Sequence, residues 1–438
     1  MTSQASVQTP EEIVVHRVVE PPAARRRRLT VGGVLVGIGL LCGVGFGLAG
    51  RAGYKAAFRL GTGGDAVTVP DIVVPASGTA VLLGAIIVAL GTWHLVRGWS
   101  RRALRAATAA TIVCFVISFL CWVATGQHGT EIDLLGLLQQ TIFLSTPLIL
   151  GSLSGVLCER SGVINIAIEG QMLAGAFCGA LVASVAHNLG LGVVFAAIAG
   201  ALMGALLAVF AIRYLVNQIV VGVVLNVFAL GLTGFAYDAF MKDQADKYNN
   251  PGFFGQIKIP LLGDIPVIGP LFFDANVLVY VMYVLLAVIH VALFRTRWGL
   301  RTRAVGEHPT AADTVGINVR LVRYRNVILG GAVAGLAGAY LTIGTVGSFS
   351  KNISSGKGFI ALAALIFGRW SPLGAMGAAL LFGFADALQT ILSYTQTPIP
   401  IPSSFLAMLP YLATLFAVAG LVGRGRAPAA DGEPYTKE

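Results

Sequence analysis

Apolar runs about as long as a bilayer is thick follow one another along most of this chain. A helix needs about 20 predominantly apolar residues to cross the hydrocarbon core, and its backbone must be hydrogen-bonded within the segment. Spanning helices are therefore predicted at residues 29–50, 79–96, 103–124, 134–157, 163–187, 190–212, 217–240, 275–294, 325–346, 372–392 and 405–423. The run 358–369 is too short to cross comfortably and is closed by Pro372, which favours a broken or re-entrant helix enclosed by protein.

This pattern predicts an all-α, polytopic transmembrane protein with about 10–12 spans. Its parts are a polar tail at 1–28, a first group of helices at 29–133, a helical core at 134–424 and a second tail at 425–438. Glycines four residues apart predict helix faces on which backbones approach closely; the pairs are Gly175 with Gly179, Gly200 with Gly204, and Gly331 with Gly335. Tryptophans near the run ends suit the headgroup level; they are Trp93, Trp99, Trp122, Trp298 and Trp370.

Basic residues at the ends of the runs predict the orientation of the chain, because cytoplasmic loops carry the excess of Lys and Arg. Four arginines at 25–28 precede the first run. Two further clusters predict cytoplasmic loops: Arg97, Arg101, Arg102 and Arg105, and then Arg295, Arg297, Arg301, Arg303, Arg320, Arg323 and Arg325. With the run 358–369 counted as a crossing, both termini lie in the cytoplasm. Arg51, Lys55 and Arg59 fit less well, since they fall in an outside loop.

The composition supports a membrane protein without its own catalytic chemistry. The 438 residues are 56% hydrophobic and 11% charged, against about a quarter charged in soluble domains. The net charge of +10 is spread between apolar runs, which does not suit a nucleic-acid partner. The five cysteines form no metal-ligand pattern, and no phosphate loop, HExxH or GxSxG motif occurs. We therefore expect no metal, no cofactor and no enzyme activity, and any ATP must be bound by another chain.

Polar residues inside the runs are the candidates for a solute pathway. Asn165 and Glu169 lie one turn apart in the stretch 161–171, where a carboxylate at the centre of a span costs about 2.5–3.5 kcal/mol. Such a group either faces a watery path or braces a neighbouring helix. The same two interpretations are open for Gln218 and Asn226 in the run 217–240 and for Asp386 in the run 372–392. The full candidate set is Asn165, Glu169, Gln171, Gln218, Asn226, Asp386 and Gln389.

The predicted cytoplasmic stretch 303–317 is long, mixed in charge and flanked by two runs. Pro309 suits the first turn of a short helix and Gly316 suits its end. A short helix parallel to the membrane would be a lever on which another protein docks. The alternative is an amphipathic loop packed on its own chain.

At these residues the sequence resembles the permeases of bacterial ABC importers for branched-chain amino acids, ribose-type sugars and nucleosides. The likeness is greatest to the nucleoside permeases that work with basic membrane lipoproteins. It is carried by residues 161–171, 217–226, 303–317 and 356–389 and covers most of 134–424. The resemblance implies a bacterial inner-membrane permease that pairs with a second, related permease. It also implies cytoplasmic ATP-binding subunits and an extracellular solute-binding lipoprotein.

In that family the large cytoplasmic loop, here 295–325, contains a coupling helix. The family pattern there is Glu-Ala-Ala, three residues and Gly, whereas this chain has Thr310 in place of the glutamate and then Ala311, Ala312 and Gly316. Glu307 lies one turn upstream. The resemblance implies these ATPase contacts: Arg303, Glu307, Pro309, Ala312, Asp313 and Gly316.

The resemblance favours nucleosides as the solute, moved by alternating access that the partner ATPases drive. A nucleoside also needs flat apolar surfaces, for which Phe177 and Phe228 are candidates. A sugar or a branched-chain amino acid remains open as the cargo. The alternative from another class is an ion-coupled secondary transporter with Glu169 and Asp386 as proton or sodium sites.

Overall fold

A computed structural model of the protein describes residues 21–48, 50, 53–61, 69–125, 131–394, 402–406, 408–409 and 426–437. Within these residues ten helices are long and apolar enough to span a membrane. The prediction of an all-α polytopic protein is confirmed. The predicted last span at 405–423 lies almost entirely outside the described residues, and so do the first 20 residues of the predicted tail.

Sixteen α-helices follow one another in the described residues: α1 (Pro22–Leu40), α2 (Ala76–Arg97), α3 (Arg101–Ala124), α4 (Leu134–Glu159), α5 (Ile168–Ala186), α6 (Leu189–Ala208), α7 (Gln218–Ala236), α8 (Ala245–Tyr248), α9 (Ile268–Phe272), α10 (Val277–Arg295), α11 (Arg297–Glu307), α12 (Pro309–Thr314), α13 (Val319–Leu341), α14 (Lys357–Phe367), α15 (Pro372–Tyr394) and α16 (Ser403–Leu406). π-Helical turns prolong four of them: Leu41–Leu48 after α1, Val209–Arg213 after α6, Tyr237–Met241 after α7 and Thr342–Val346 after α13. Five short strands are β1 (Lys55–Arg59), β2 (Ile72–Pro75), β3 (Glu131–Asp133), β4 (Gln256–Lys258) and β5 (Asp274–Asn276).

Four predicted elements have clearly different bounds in the structure. The first span begins at Pro22 and not at 29, so the four arginines at 25–28 lie inside α1 and not in a tail. The fifth span begins at Ile168 and not at 163, because residues 160–167 are unwound. Helix α13 begins at Val319 and not at 325, so Arg320, Arg323 and Arg325 lie in its first turns. Helix α14 has 11 residues, about 16 Å at 1.5 Å per residue, so it is a half-length helix and is too short to cross the bilayer by itself.

The chain divides into two compact units, of which the first consists mainly of residues 1–57 and 73–132 and the second of residues 58–72, 133–396 and 400–438. The first unit contains α1, α2 and α3. Glycines bring α1 and α2 together: a Cβ at Gly91 would lie 2.9 Å from the Val36 backbone nitrogen. The rings of Phe46, Phe119 and Trp122 pack on one another, with centroids 5.6 to 5.8 Å apart.

The second unit is built around α4 and α13, the most buried of its long helices. Small residues let α13 approach α5 and α6: a Cβ at Gly338 would collide with the Met172 carbonyl oxygen, and one at Gly200 with the Gly331 carbonyl oxygen. The predicted close packing at Gly200 and Gly331 is confirmed. Backbone contact at these positions leaves no room for any side chain, which explains why the sequence carries glycine there.

Two of the five tryptophans are enclosed by protein, and the location of all five at the headgroup level stays a prediction. Trp122 and Trp370 are buried, whereas Trp93 is exposed. The Trp370 indole nitrogen donates a hydrogen bond to the Glu159 carboxylate, so its polar edge is satisfied inside the protein.

Candidate functional site

The connection between α4 and α5 is unwound although protein surrounds it. Residues 160–167 have no regular helix, and most of them are buried. Gly162 has φ +86°, and a Cβ there would lie 2.9 Å from Nη2 of Arg323. Buried backbone groups outside a helix need hydrogen-bond partners from elsewhere in the protein. In membrane transporters such helix breaks are tolerated where they lie in protein or line a water-filled cavity.

Helix α7 supplies several of these partners. The Gln218 Oε1 accepts a hydrogen bond from the Ile164 amide at 2.7 Å. Asn226 makes two: its Oδ1 accepts from the Gly170 amide at 2.8 Å, and its Nδ2 donates to the Ile166 carbonyl at 2.9 Å. Both candidate amides of the seventh span therefore hold the backbone on either side of the break. This is the bracing role that the sequence left open.

Asn165 and Gln171 form a reciprocal amide pair across the start of α5. The Asn165 Nδ2 donates to the Gln171 Oε1 at 3.0 Å, and the Gln171 Nε2 donates to the Asn165 Oδ1 at 3.2 Å. Asn165 also donates to the Ser154 hydroxyl of α4 at 3.2 Å. Both amide side chains are 0% exposed, so each is satisfied by protein in this conformation.

Glu169 joins α5 to the start of the half-length helix α14. Its Oε1 accepts hydrogen bonds from the Ser354 hydroxyl at 2.6 Å and the Gly356 amide at 2.8 Å, and its Oε2 accepts from the Gly358 amide at 2.6 Å. A Cβ at Gly358 would lie 2.5 Å from the Glu169 Cα. The carboxylate thus serves as the cap of another helix, where amide hydrogens and the helix dipole favour negative charge.

Asp386 and Gln389 lie on α15, which packs against α4 and α14. Both side chains are half-buried, as is Asn226, whereas Asn165, Gln171 and Gln218 are buried. The ammonium group of Lys357, in the first turn of α14, interacts electrostatically with the Asp386 carboxylate. The start of the half-length helix thus carries a positive charge that acts on a carboxylate of α15.

The two aromatic candidates have different surroundings. Phe177 is buried, and its ring meets that of Phe349 edge to face with centroids 5.2 Å apart. It also contacts Phe240, so its ring is engaged by other aromatic groups. Phe228 is exposed on α7. Neither ring stands beside the polar network as an open stacking surface in the described residues.

The stretch 303–317 contains the short helix that the sequence predicts. Helix α12 begins at Pro309, is capped by the His308 ring nitrogen and is followed by Gly316 at φ +82°. Ala312 faces inward, whereas Val315 at the end of the helix is 75% exposed.

The remaining coupling candidates lie around this helix. The Arg303 guanidinium stands 5.3 Å from the centre of the Phe294 ring. Asp313 is paired with Lys437 at 3.7 Å, and the Glu307 carboxylate accepts a hydrogen bond from the Ala429 amide at 3.2 Å. Three of the six candidates, Glu307, Ala312 and Asp313, therefore lie against the carboxyl-terminal segment of the chain.

Residues 137–419 match the family described as the branched-chain amino acid transport system permease component. The guanosine ABC transporter permease protein NupQ of Bacillus subtilis is 44% identical over 68% of this chain and 95% of the relative. The chain belongs to this permease family. It is the membrane-spanning subunit of an ABC importer, a transport component and not an enzyme.

Other relatives of this permease are named for nucleosides or for glucose. The nucleoside ABC transporter permease protein NupC of Lactococcus lactis is 40% identical over 68% of the permease and 95% of the relative. A putative glucose ABC transporter permease of Haloferax volcanii is 35% identical over 58% and 77%. B. subtilis and L. lactis each have a second matching permease, NupP and NupB, at 29% and 25% identity. No solved structure matches the permease.

Four residues of the site were missed by sequence reasoning. Ser354, Gly356 and Gly358 donate to Glu169, and Lys357 faces Asp386. No individual role was predicted from the sequence for residues 354–358. A glycine-rich stretch directly before a half-length apolar helix was the signal that could have found them, because such a helix needs a cap inside the protein.

Proposed function

We propose that this permease imports nucleosides, with the polar network around the break between α4 and α5 forming part of the path. The identity of 44% with a permease named for guanosine, over 95% of that relative, is the observation that carries the proposal. A second relative at 40% identity is named for nucleosides and is covered to the same extent. This degree of likeness over a whole relative favours a related cargo.

The partners in this proposal are a second, related permease, a pair of ATP-binding subunits and an extracellular solute-binding lipoprotein. The occurrence of two matching permeases in each of two bacteria supports a heterodimer. The permease then lies in a bacterial inner membrane with both termini in the cytoplasm. Residues 134–424 form the permease core, and the helices at 29–133 are an addition to it.

In the path, the candidate side chains have two different tasks. Asn165, Gln171, Gln218 and Asn226 set the shape of the unwound backbone, and Glu169 holds the half-length helix α14 in place. Their hydrogen bonds to protein support this positioning role. Asp386 and Gln389 on α15 are half-buried, so they meet the ribose or base directly.

In this proposal, the ATP-binding subunits act on the permease at α12. Closure of the ATP-binding subunits displaces this helix through its exposed side, which includes Val315 and Gly316. Arg303, Glu307, Pro309, Ala312 and Asp313 hold the helix and pass the displacement to the spans. The path then opens to the other side, as alternating access requires. The energy arrives by contact, since the chain has no nucleotide-binding motif.

A sugar is the second candidate cargo, because one relative at 35% identity is named as a putative glucose permease. A nucleoside contains a ribose, so polar residues such as Asp386 and Gln389 suit both solutes. The difference is the base, which requires an apolar surface. Competition between the two solutes separates the candidates.

The test is uptake into vesicles that contain the complete importer with its solute-binding lipoprotein. Labelled guanosine is offered with ATP on the cytoplasmic side, and unlabelled nucleosides, glucose and leucine are added as competitors. We expect uptake that needs ATP and is reduced only by nucleosides. A proton gradient without ATP serves as the matched control and is expected to drive none.

Two results would overturn the proposal. Guanosine uptake driven by the proton gradient alone would identify an ion-coupled transporter. Equal competition by glucose or leucine would assign the permease to another cargo. An importer carrying Asp386→Asn should lose most of its uptake while its assembly remains unchanged.

A further inference from the structure

Residues 426–437 pack against the region that contains α12. The Ala430 amide donates to the Gly306 carbonyl at the end of α11 at 2.9 Å. The Arg323 Nη1 of α13 donates to the Glu433 carbonyl at 2.8 Å. With the Glu307 carboxylate already bonded to the Ala429 amide, the segment is tied to the protein by its backbone at three points. These backbone hydrogen bonds fix the position of residues 426–437 relative to α11 and α13.

The distal half of this segment is anchored under α12. Tyr435 is buried and packs in one apolar cluster with Ala312 of α12, Val305 of α11 and Val319 of α13. The neighbouring Lys437 is paired with Asp313 at 3.7 Å. The inward face of α12 therefore rests on the carboxyl-terminal segment as well as on α11 and α13.

The proximal half of the segment touches the helix break. A Cβ at Gly432 would lie 2.6 Å from the Ile164 Cδ1, and a Cβ at Gly162 would lie 3.0 Å from the Ala430 carbonyl oxygen. The Asp431 carboxyl group interacts electrostatically with that of Glu159, the last residue of α4. The same segment is thus in contact with α12 at one end and with residues 160–167 at the other.

Arg323 completes this junction inside the protein. Its side chain is 2% exposed, and both Asp431 and Glu433 interact with it electrostatically. Its Nη1 is satisfied by the Glu433 carbonyl, whereas its Nε and Nη2 and the Asp431 Oδ1 have no hydrogen-bond partner among the described residues. Arg323 therefore holds the segment by one hydrogen bond and by the attraction between its charge and the nearby carboxyl groups.

We propose that residues 426–437 are a strut that transmits displacement of α12 to the break before α5. The proposal rests on the coupling role proposed above for α12. When α12 moves, Tyr435 moves with it, and Gly432 and Asp431 carry the movement to Ile164 and Glu159. Packed elements move as rigid bodies between discrete arrangements. A rigid strut therefore transmits even a small displacement of α12 to residues 160–167.

The test uses three variants at the distal anchor. Tyr435→Ala removes the ring from the apolar cluster, Tyr435→Phe keeps it, and Thr436→Ala alters an exposed neighbour as the matched control. For each complete importer, solute uptake and ATP hydrolysis are measured per assembled complex. We expect Tyr435→Ala to lower uptake per ATP hydrolysed at least tenfold, with assembly and ATP hydrolysis retained. Tyr435→Phe and Thr436→Ala should match the unaltered importer.

Two outcomes would overturn the strut. Unchanged uptake per ATP in Tyr435→Ala, with only a lower yield of complex, would reduce the segment to ordinary packing. Higher uptake and hydrolysis would make it an inhibitory segment. Failure of guanosine uptake in the unaltered importer and in Thr436→Ala would instead concern the proposed cargo.

A second measurement is independent of the cargo. Nitroxide labels at Thr314 of α12 and Thr436 of the strut are both on exposed positions. We compare the distance between the two labels before and after vanadate traps the ATP-binding subunits in their closed state. In the unaltered importer this distance should be the same in both states. In Tyr435→Ala the distribution of distances should become broader. A separation that changes in the unaltered importer would show that the segment and α12 move apart, which contradicts the proposal.

Discussion

Glu169 shows how one carboxylate determines the position of a helix to which it does not belong. Its two oxygens accept three hydrogen bonds from the segment that begins α14. A half-length helix inside a membrane protein exposes amide hydrogens at its start, and these groups cannot be left without partners. The charge of Glu169 is therefore needed for the architecture around the path, whether or not solute is present.

Replacing Glu169 tests this role. Glu169→Ala leaves three donors without their acceptor, and we expect a loss of about 3 kcal/mol or more in stability. Glu169→Gln keeps one acceptor oxygen and should lose less. Thermal unfolding of the purified importer, with proteolysis of residues 351–358, measures both effects. Loss of uptake in Glu169→Gln at an unchanged melting temperature would instead indicate direct contact with solute.

Asp431 makes the docking of the strut dependent on pH. Burial raises the pKa of this carboxyl above its ordinary value, while Arg323 acts in the opposite direction. The charged or titratable groups around it are Glu159 of α4, Cys158 of α4, Arg323 of α13 and Glu433 of the strut. A raised pKa in the docked state means that docking is strongest when the group is protonated and weakens as pH rises through the raised pKa.

Motion of a nitroxide at Thr436 reports this docking. Between pH 5 and pH 9 we expect the immobilised fraction to fall as the pH rises. In Asp431→Asn the fraction should vary much less, because the amide does not ionise but still offers a hydrogen-bonding group to Glu159. A pH dependence of equal size in both proteins would locate the titrating group elsewhere.

At the scale of elements, packing of α13 against α5 and α6 depends on the absence of side chains. A Cβ at Gly338 would collide with the Met172 carbonyl oxygen and would lie 2.6 Å from the Ala176 nitrogen. Both obstacles are backbone atoms, so the helices themselves would have to separate. Short interhelical distances of this kind are the main source of attraction between helices in lipid.

Gly338→Ala should therefore destabilise the permease by about 1–3 kcal/mol through overpacking. Gly234→Ala is the matched control, because a Cβ at that position of α7 meets nothing within 4 Å. The melting temperature of the purified importer should fall in the first variant and remain unchanged in the second. Equal melting temperatures would refute the close approach of α13 and α5.

Helix α12 depends on a left-handed residue at its end. Gly316 has φ +82° with nothing within 4 Å of an added Cβ, so Gly316→Ala introduces backbone strain of about 1–2 kcal/mol and no collision. Gly316→Asn is the control, since asparagine tolerates this conformation better. We expect uptake to fall several-fold in the alanine variant and less in the asparagine variant, with membrane insertion retained in both. Full uptake in Gly316→Ala would argue against coupling at this helix.

At the scale of the whole molecule, orientation decides which partners each surface can meet. The proposed topology puts α12 and residues 426–437 on the cytoplasmic side and the connection 242–276 on the outside. Charge supports this arrangement, since arginines gather around α10 to α13. The outer connection holds the β4–β5 hairpin, in which Gln256 pairs with Asn276.

Single cysteines in a variant without the five native ones test this orientation. Lys247→Cys lies in the outer connection and Thr310→Cys at α12, and both positions are exposed. A membrane-impermeant maleimide added to intact cells should label the first and not the second. Labelling of Thr310→Cys from outside would reverse the topology and remove the basis of the coupling proposal.

The pattern of apolar and polar positions by itself determined that the protein is polytopic and gave the approximate bounds of the ten spans in the described residues. This follows because about 20 apolar residues in a row have no other stable place than a bilayer. The same reasoning located the short helix at Pro309 and predicted the close approach of Gly200 to the helix carrying Gly331. Local rules suffice for such features, since each depends on neighbours along the chain or on the absence of a side chain.

Only the tertiary structure decided what the buried polar residues do. Asn226 bonds to a residue 60 positions away, and Glu169 bonds to one 185 positions away. Asp431 interacts with Glu159, more than 200 positions away, and no local pattern encodes these pairings. A polar residue in an apolar run must find a hydrogen-bond partner, but the sequence does not say which group that partner is. The unwound segment before α5, the cap of α14 and the strut under α12 therefore emerged from packing, because long-range hydrogen bonds are chosen by the fold as a whole.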